Sequence, residues 1–235
     1  MLNSTDLELL SKNVWYAQLP VQFQQFIQQN SNYKSYERDQ AIFRSGDIFN
    51  GIYAVLDGRI RLGYIDIEGN ESVAAIVEPI MWFGEISLVD QQPRSHDAIA
   101  IGKCVILHIP SLVINAFLTE YPKYWFHIAQ LTSQKLRFAF LELISIQTQH
   151  IQQRLAQRLM FILNGYGNHA HIEKNTIHLS QDQLALMLKC SRQTINQELH
   201  LLEQQGILKI AFKRIEILNI NQLYTIAHSM NESSQ

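Results

Sequence analysis

Two stretches of the chain gather residue types that suit a phosphate group. In the first, Phe83-Gly84-Glu85-Ile86-Ser87-Leu88 is followed by Pro93-Arg94-Ser95-His96. Glycine and small residues let backbone N–H groups approach an anion closely. Arg94 adds planar, bidentate donors suited to phosphate oxygens, and Ser95 adds a hydroxyl. Glu85 can accept a hydrogen bond from a sugar hydroxyl. It also stands nine residues before an arginine, and can instead be that arginine's salt-bridge partner in a loop. The residues alone leave both roles open.

The second stretch runs from Ser180 to Gly206. Ser180 and Gln183 have capping-box spacing, and Leu184, Ala185, Met187 and Leu188 continue a helix. Lys189-Cys190-Ser191 breaks it. Ser191 caps a second helix whose buried face is Ile195, Leu199 and Leu202, and Gly206 ends that helix. Its N-terminus points positive charge toward phosphate. Arg192 can donate a bidentate pair to guanine O6 and N7, while Thr194 and Asn196 suit phosphate or base edges. A hairpin follows, Ile207–Ala211 and Ile215–Leu218 about the basic tip Phe212-Lys213-Arg214. Lys209, Lys213 and Arg214 can meet backbone phosphates, which predicts steep salt dependence. Helix, tight turn, helix and basic hairpin form a winged helix-turn-helix pattern.

The elements around these stretches have three textures. Residues 5–30 read as helical, with Leu7, Leu10, Val14, Phe23, Phe26 and Ile27 at helical spacing and their glutamines on a solvated face. From about 36 to 110 the period is two. Ile60, Leu62 and Tyr64 alternate with Arg59, Arg61 and Gly63, and Asp57-Gly58 suits a two-residue hairpin. Turns at Gly46, Gly58 and Gly69 pace short strands, the mark of an antiparallel sandwich or barrel. A long helix is predicted from Tyr124 to about Gln149, and another over Ile151–Leu163. The long helix exceeds what a small barrel needs, which suits pairing with its copy in a homodimer.

Composition sets outer bounds. The 235 residues are 47% apolar and 17% charged, with a net charge of −2, which excludes a disordered or collagen-like chain. Residues 1–150 carry 11 Lys/Arg and 15 Asp/Glu, whereas residues 151–235 carry 8 and 6. The C-terminal part is therefore the basic one, the sign that suits phosphate. Cys104 and Cys190 cannot build a four-cysteine cluster, and no metal site is expected. His169, His171 and His178 lack ligand spacing. No nucleophile–base signature appears, so no enzyme and no catalytic residue is predicted. The N-terminus has no basic region before an apolar run, and no apolar stretch of membrane-spanning length exists, so the cytoplasm is the expected location and no membrane the expected partner.

The first stretch resembles the phosphate-binding cassette of cyclic-nucleotide-binding domains: FGE, small or apolar residues, a variable turn, then PR and a small residue. With the barrel, the long helix and the Ser-Arg-x-Thr-Ile start of the second helix, the chain resembles the CRP/FNR family of bacterial transcription regulators over roughly residues 5–225. The resemblance implies an α+β protein. An antiparallel β-barrel or jelly-roll sensor would span residues 1–120, a dimerisation helix 121–150, and a winged helix-turn-helix domain 151–235. It implies a homodimer on a pseudo-palindromic site of double-stranded DNA, with recognition helices about 34 Å apart, and contact with RNA polymerase. It also implies a small effector such as cAMP or cGMP, with Glu85 for ribose and Arg94 with Ser95 for cyclic phosphate. The expected effector set is Gly84, Glu85, Ile86, Ser87, Arg94, Ser95 and Phe140. The expected DNA set is Ser191, Arg192, Gln193, Thr194, Asn196, Gln197, Lys213 and Arg214.

Several positions depart from the family pattern. His96 stands where a small residue is usual. Ala139 and Phe140 stand where cAMP-responsive relatives carry a Thr-Ser pair that bonds adenine, and neither side chain here can hydrogen-bond. Phe140 can stack on a base or fill the pocket. Lys189 replaces a turn glycine. Relatives that read a TGTGA-like half-site carry Glu and Arg where this chain has Gln193 and Gln197. Glutamine prefers adenine N6 and N7, so an altered base preference is expected. Two other readings stand beside this one: an effector-independent regulator with a degenerate pocket, and a cyclic-nucleotide-binding module that acts on protein.

Overall fold

The computed structural model describes residues 2–69, 71–168 and 175–229; His169 and His171 lie outside them. The chain forms two compact units. The first comprises the residues up to Leu136 with Gly167 and Asn168, and the second comprises Arg137–Tyr166 with the described residues from Asn175 onward.

The first unit opens with helices α1 (Ser4–Ser11), α2 (Val14–Ala17) and α3 (Val21–Asn30). Asn3 and Asn13 cap the first two through their side chains, and Pro20 stands at the N-cap of the third. The glutamines are not simply solvated. Gln24 Nε2 donates to the carbonyls of Tyr16 and Leu19, and Gln28 Nε2 donates to the Tyr16 hydroxyl. The two Gln24 bonds go to carbonyls at and just beyond the end of α2, where the last turn of a helix lacks internal partners for them.

Eight strands follow: β1 (Asn32–Tyr36), β2 (Ala41–Phe43), β3 (Gly51–Asp57), β4 (Ile60–Ile65), β5 (Glu71–Val77), β6 (Trp82–Phe83), β7 (Asp97–Ala100) and β8 (Cys104–Pro110). They make two antiparallel sheets, β1-β8-β3-β6 and β2-β7-β4-β5. The predicted hairpin at Asp57-Gly58 is not one. β3 pairs with β8 and β6, whereas β4 pairs with β5 and β7, so this turn carries the chain from one sheet to the other. Gly58 is still required there: its φ is +81°, and a Cβ would lie 2.5 Å from the Lys103 carbonyl oxygen. The predicted alternation along β4 also fails beyond Leu62. Tyr64 is exposed although it continues the phase of buried Ile60, and the partner strand β5 carries the irregularity here: Leu62 and Gly63 face Ala75 and Val73, so Ala74 is the extra residue of a bulge.

Within the first unit, a core of Leu10, Trp15, Phe23, Ile27, Trp82, Leu107 and Ile109 lies between the N-terminal helices and the β3-containing sheet. Three more helices belong to the chain's middle: α4 (Ile86–Asp90), α5 (Ser111–Glu120) and α6 (Trp125–Thr148). Phe117, Tyr124, Ile128 and Leu131 add α5 and the start of α6 to the same core.

The second unit holds α7 (Ile151–Leu163), β9 (Thr176–Ile177), α8 (Gln181–Leu188), α9 (Arg192–Gln204), β10 (Leu208–Ala211), β11 (Arg214–Ile217) and α10 (Ile220–His228). Its sheet order is β10-β11-β9. The architecture is the predicted α+β arrangement of antiparallel barrel, long helix and winged helix-turn-helix. The α10 helix, capped by Asn219, lies in a stretch where sequence reasoning named no element. Among the described residues no helix is long and apolar enough to cross a membrane.

Candidate effector cassette and nucleic-acid interface

β6 delivers the cassette. Phe83 pairs with Tyr53 of β3, and the chain then turns at Gly84, whose φ is +88°. A Cβ at Gly84 would meet Arg94 Nη1 at 3.1 Å and the Tyr53 ring at 3.2 Å, so the glycine makes room for the arginine. Arg94 returns after α4 and is pinned by its own backbone: its N–H donates to Asp47 O and its carbonyl accepts from Gly46 N.

Arg94 is buried, and its guanidinium is already engaged. Nη1 donates to Gly84 O at 2.7 Å, while Nη2 donates to Gly51 O at 2.6 Å and Asn50 Oδ1 at 2.7 Å. Its carbon stands 4.2 Å over the Phe43 ring and 5.0 Å over Phe49. Carbonyl dipoles and ring faces therefore hold this charge in place of a contacting carboxylate. Burial lowers the Arg94 pKa, chiefly by desolvation, but a guanidinium stays protonated.

Glu85 is fully buried and pairs with a different cation. Its Oε2 accepts from Lys135 Nζ of α6 at 2.5 Å. Of the two roles open to Glu85, the salt bridge to Arg94 is therefore not the one found. Ile86 is half-buried and Ser87 buried, both on α4. Ser95 is exposed, with its hydroxyl 2.9 Å from His96 Nδ1. His96 stands edge-on to Phe43. Its pKa is lowered by burial first and then by Lys135 and Arg94, against the opposing pull of Glu85 and Asp97. The ring is thus neutral at pH 7. Among the described residues, three buried polar atoms of this cluster have no partner: Glu85 Oε1, Arg94 Nε and His96 Nε2. Buried polar atoms are ordinarily paired, so an unpaired carboxylate acceptor and an unpaired guanidinium donor in one cassette mark a place prepared for another group.

Phe140 falls in the other unit and is 56% exposed, and its neighbour Ala139 is exposed too. Lys135 and Asn50 are the cassette residues that sequence reasoning missed. Lys135 precedes Ala139 by one helical turn, so the face that pointed to Ala139 also pointed to Lys135. Nothing in the local sequence signalled Asn50, because it acts on Arg94 across 44 positions.

The second unit holds the residues expected to meet DNA. Ser180 and Gln183 form the predicted capping box, and the Ser191 hydroxyl accepts from Thr194 N at 3.0 Å. Lys189 takes the left-handed conformation, φ +51°, with an exposed side chain. Arg154 of α7 donates to Leu188 O at 2.8 Å and closes the end of α8. On α9, Ile195, Leu199 and Leu202 are buried, whereas Ser191, Arg192, Gln193 and Gln197 are exposed and Thr194 half-exposed. Arg192 leans 3.6 Å from Asp182, both of them exposed. Asn196 Oδ1 accepts from Gln181 Nε2 at 2.9 Å, so it braces α9 against the start of α8. Glu203 Oε1 accepts from Ile210 N at 2.7 Å and ties the wing to α9. Lys213 and Arg214 are exposed at the wing tip.

A cyclic nucleotide-binding domain model matches residues 33–121, and a Crp-like helix-turn-helix domain model matches residues 153–226. The chain belongs to the CRP/FNR family. The cyclic AMP receptor protein of Thermus thermophilus is 28% identical to this regulator over 196 residues, 83% of this chain and 88% of that protein. The transcriptional regulator SdrP of the same organism is 26% identical over 204 residues, 83% of this chain and 97% of that protein. A solved structure of a CRP/FNR-family transcriptional regulator from Thermus thermophilus matches with a TM-score of 0.65 at 25% identity, covering 85% of this chain and all of that one. This regulator thus carries a cyclic-nucleotide-binding-type domain and a DNA-binding helix-turn-helix, and its relatives regulate transcription.

Proposed function

We propose that this regulator is a homodimer that binds a pseudo-palindromic DNA site and answers to a small anionic effector of the cyclic nucleotide class. The observation that carries the effector reading is the trio of unpartnered buried atoms, Glu85 Oε1, Arg94 Nε and His96 Nε2. The carboxylate acceptor and the guanidinium donor fit a ligand that brings both a hydroxyl and an anionic oxygen. Gly84, Ile86, Ser87 and Ser95 line the same cassette. The exposed polar face of α9, with Arg192, Gln193, Thr194 and Gln197, supports direct base reading, with Lys213 and Arg214 on backbone phosphates. Exposed Phe140, Leu143 and Ile144, spaced to share one side of α6, support self-association. In this reading residues 1–120 sense, 121–150 pair, and 151–235 bind DNA and face RNA polymerase in the cytoplasm.

Calorimetric titration with cAMP and cGMP tests the effector reading, with Arg94→Ala as control. Saturable heat lost in the variant supports it. The effector-independent reading draws on the three protein acceptors that already hold Arg94. It predicts no heat at millimolar nucleotide and operator binding without any added ligand.

A further inference from the structure

The effector cassette has a residue that its motif does not contain. Lys135 reaches from α6 to Glu85 Oε2 and leaves Glu85 Oε1 open. An ammonium has three N–H donors and no acceptor. One is spent on Glu85, which leaves two donors on a side chain that is 28% exposed.

The open atoms fix how a nucleoside cyclic phosphate would lie. Arg94 Nε is a donor for the anionic oxygen, and Glu85 Oε1 is an acceptor for a sugar hydroxyl. In a 3′,5′-cyclic nucleotide the free hydroxyl is on C2′, bonded directly to the carbon that bears the base. The base therefore leaves the sugar beside Glu85, within a lysine's reach of Lys135. Alternative partners from the same stretch of α6 are few: the Thr132 hydroxyl donates back to Ile128 O. We propose that Lys135 is a specificity-determining residue that selects a guanine-type over an adenine-type cyclic nucleotide. Guanine presents two adjacent acceptors, O6 and N7, whereas adenine keeps the N7 acceptor but sets an N6 amino donor beside it, so a donor-only ammonium gains a second acceptor from guanine alone. The inference rests on the effector reading above.

The test is calorimetry of the full chain with cGMP and cAMP, for the native protein and for Lys135→Met and Lys135→Arg. The native protein should bind cGMP about 10-fold or more tighter than cAMP, the ratio that one good lysine–guanine contact supplies. Lys135→Arg, which keeps a donor-only cation, should retain that preference. Lys135→Met should weaken cGMP and bring the two nucleotides within about threefold. A native preference for cAMP, equal binding of both, or a ratio unchanged in Lys135→Met would overturn the proposal. So would a gain of affinity for both nucleotides in Lys135→Met, which would make the lysine a plug. If neither nucleotide binds the native protein, the effector reading itself fails and takes this inference with it. Should Lys135→Met not fold, the native ratio and its retention in Lys135→Arg still decide.

Discussion

Lys135 Nζ stands 2.5 Å from Glu85 Oε2, so the carboxylate at the centre of the cassette is held by the long helix, while Arg94 is held by backbone carbonyls. The two charges that the motif places nine residues apart thus have separate supports. This division leaves one atom of each open. It also makes the start of α6 part of the cassette, since Tyr124, Ile128 and Leu131 of the same region are buried in the core of that unit.

Removing one partner of that ion pair should destabilise the first unit. Glu85 is fully buried and the lysine side chain is 28% exposed, so the loss is smaller than for a dry pair. Lys135→Ala should cost about 2–3 kcal/mol, because it strands a buried carboxylate. Lys135→Met combined with Glu85→Gln should recover most of the loss, since no charge is left unpaired. Urea unfolding of the single and double variants measures both, and equal instability of the double variant would contradict the account.

His96 gives the unit a pH dependence. Its unfolded pKa is near 6.5, and its folded pKa is lower, through burial first and then Lys135. Between the two values the unfolded chain binds more protons, so stability rises with pH in that window. Stability should be full above about pH 6.5 and decline as pH falls through the folded value. His96→Gln should flatten this part of the profile. His108, also lowered by burial, retains its own share. Urea midpoints between pH 7.5 and 5 that run parallel in the two proteins would count against His96 as a source.

The reader was legible in the sequence and the sensor's wiring was not, for a physical reason. Ser180, Gln183, Ser191 and Gly206 act within a few residues of themselves, so caps and breaks can be read from spacing. The barrel is built from distant pairings. Asp57-Gly58 looks like a hairpin locally, yet the partners of β3 and β4 lie in different sheets. The cassette motif showed Glu85 and Arg94, but the groups that hold them, Lys135 and Asn50, come from 50 and 44 positions away. The role of Asn196 as a brace likewise depends on Gln181, which the helical face of α9 does not reveal.

Operator binding should fall steeply with salt. Each neutralised phosphate contributes a slope of about −0.9 in log affinity against log salt. Lys213→Ala and Arg214→Ala should each weaken binding similarly across DNA sequences and reduce the slope by about 1. Arg192→Ala should instead relax base preference at one position, at a cost of about 1–3 kcal/mol on the preferred site. Glu203→Ala should resemble the wing variants, because it removes the acceptor for Ile210 N that ties the wing to α9. Fluorescence anisotropy across a salt series separates the two classes. A slope unchanged in Lys213→Ala would remove that lysine from the phosphate contacts.

Dimerisation can be tested on the exposed face of α6. Phe140, Leu143 and Ile144 are 56%, 55% and 54% exposed, at spacings of three and four residues. Three large apolar side chains on one side of a helix are far from the scattered exposures usual on a monomer surface. Phe140→Glu with Ile144→Glu should therefore leave the fold intact, as judged by circular dichroism, and yield a monomer in analytical ultracentrifugation. A two-fold operator binds a dimer through both half-sites at once, and losing the link forfeits about 10²- to 10⁴-fold in affinity. The double variant should lose operator affinity by that order while its binding to non-specific DNA changes little. A protein that remains dimeric with both glutamates in place would move the interface off this face.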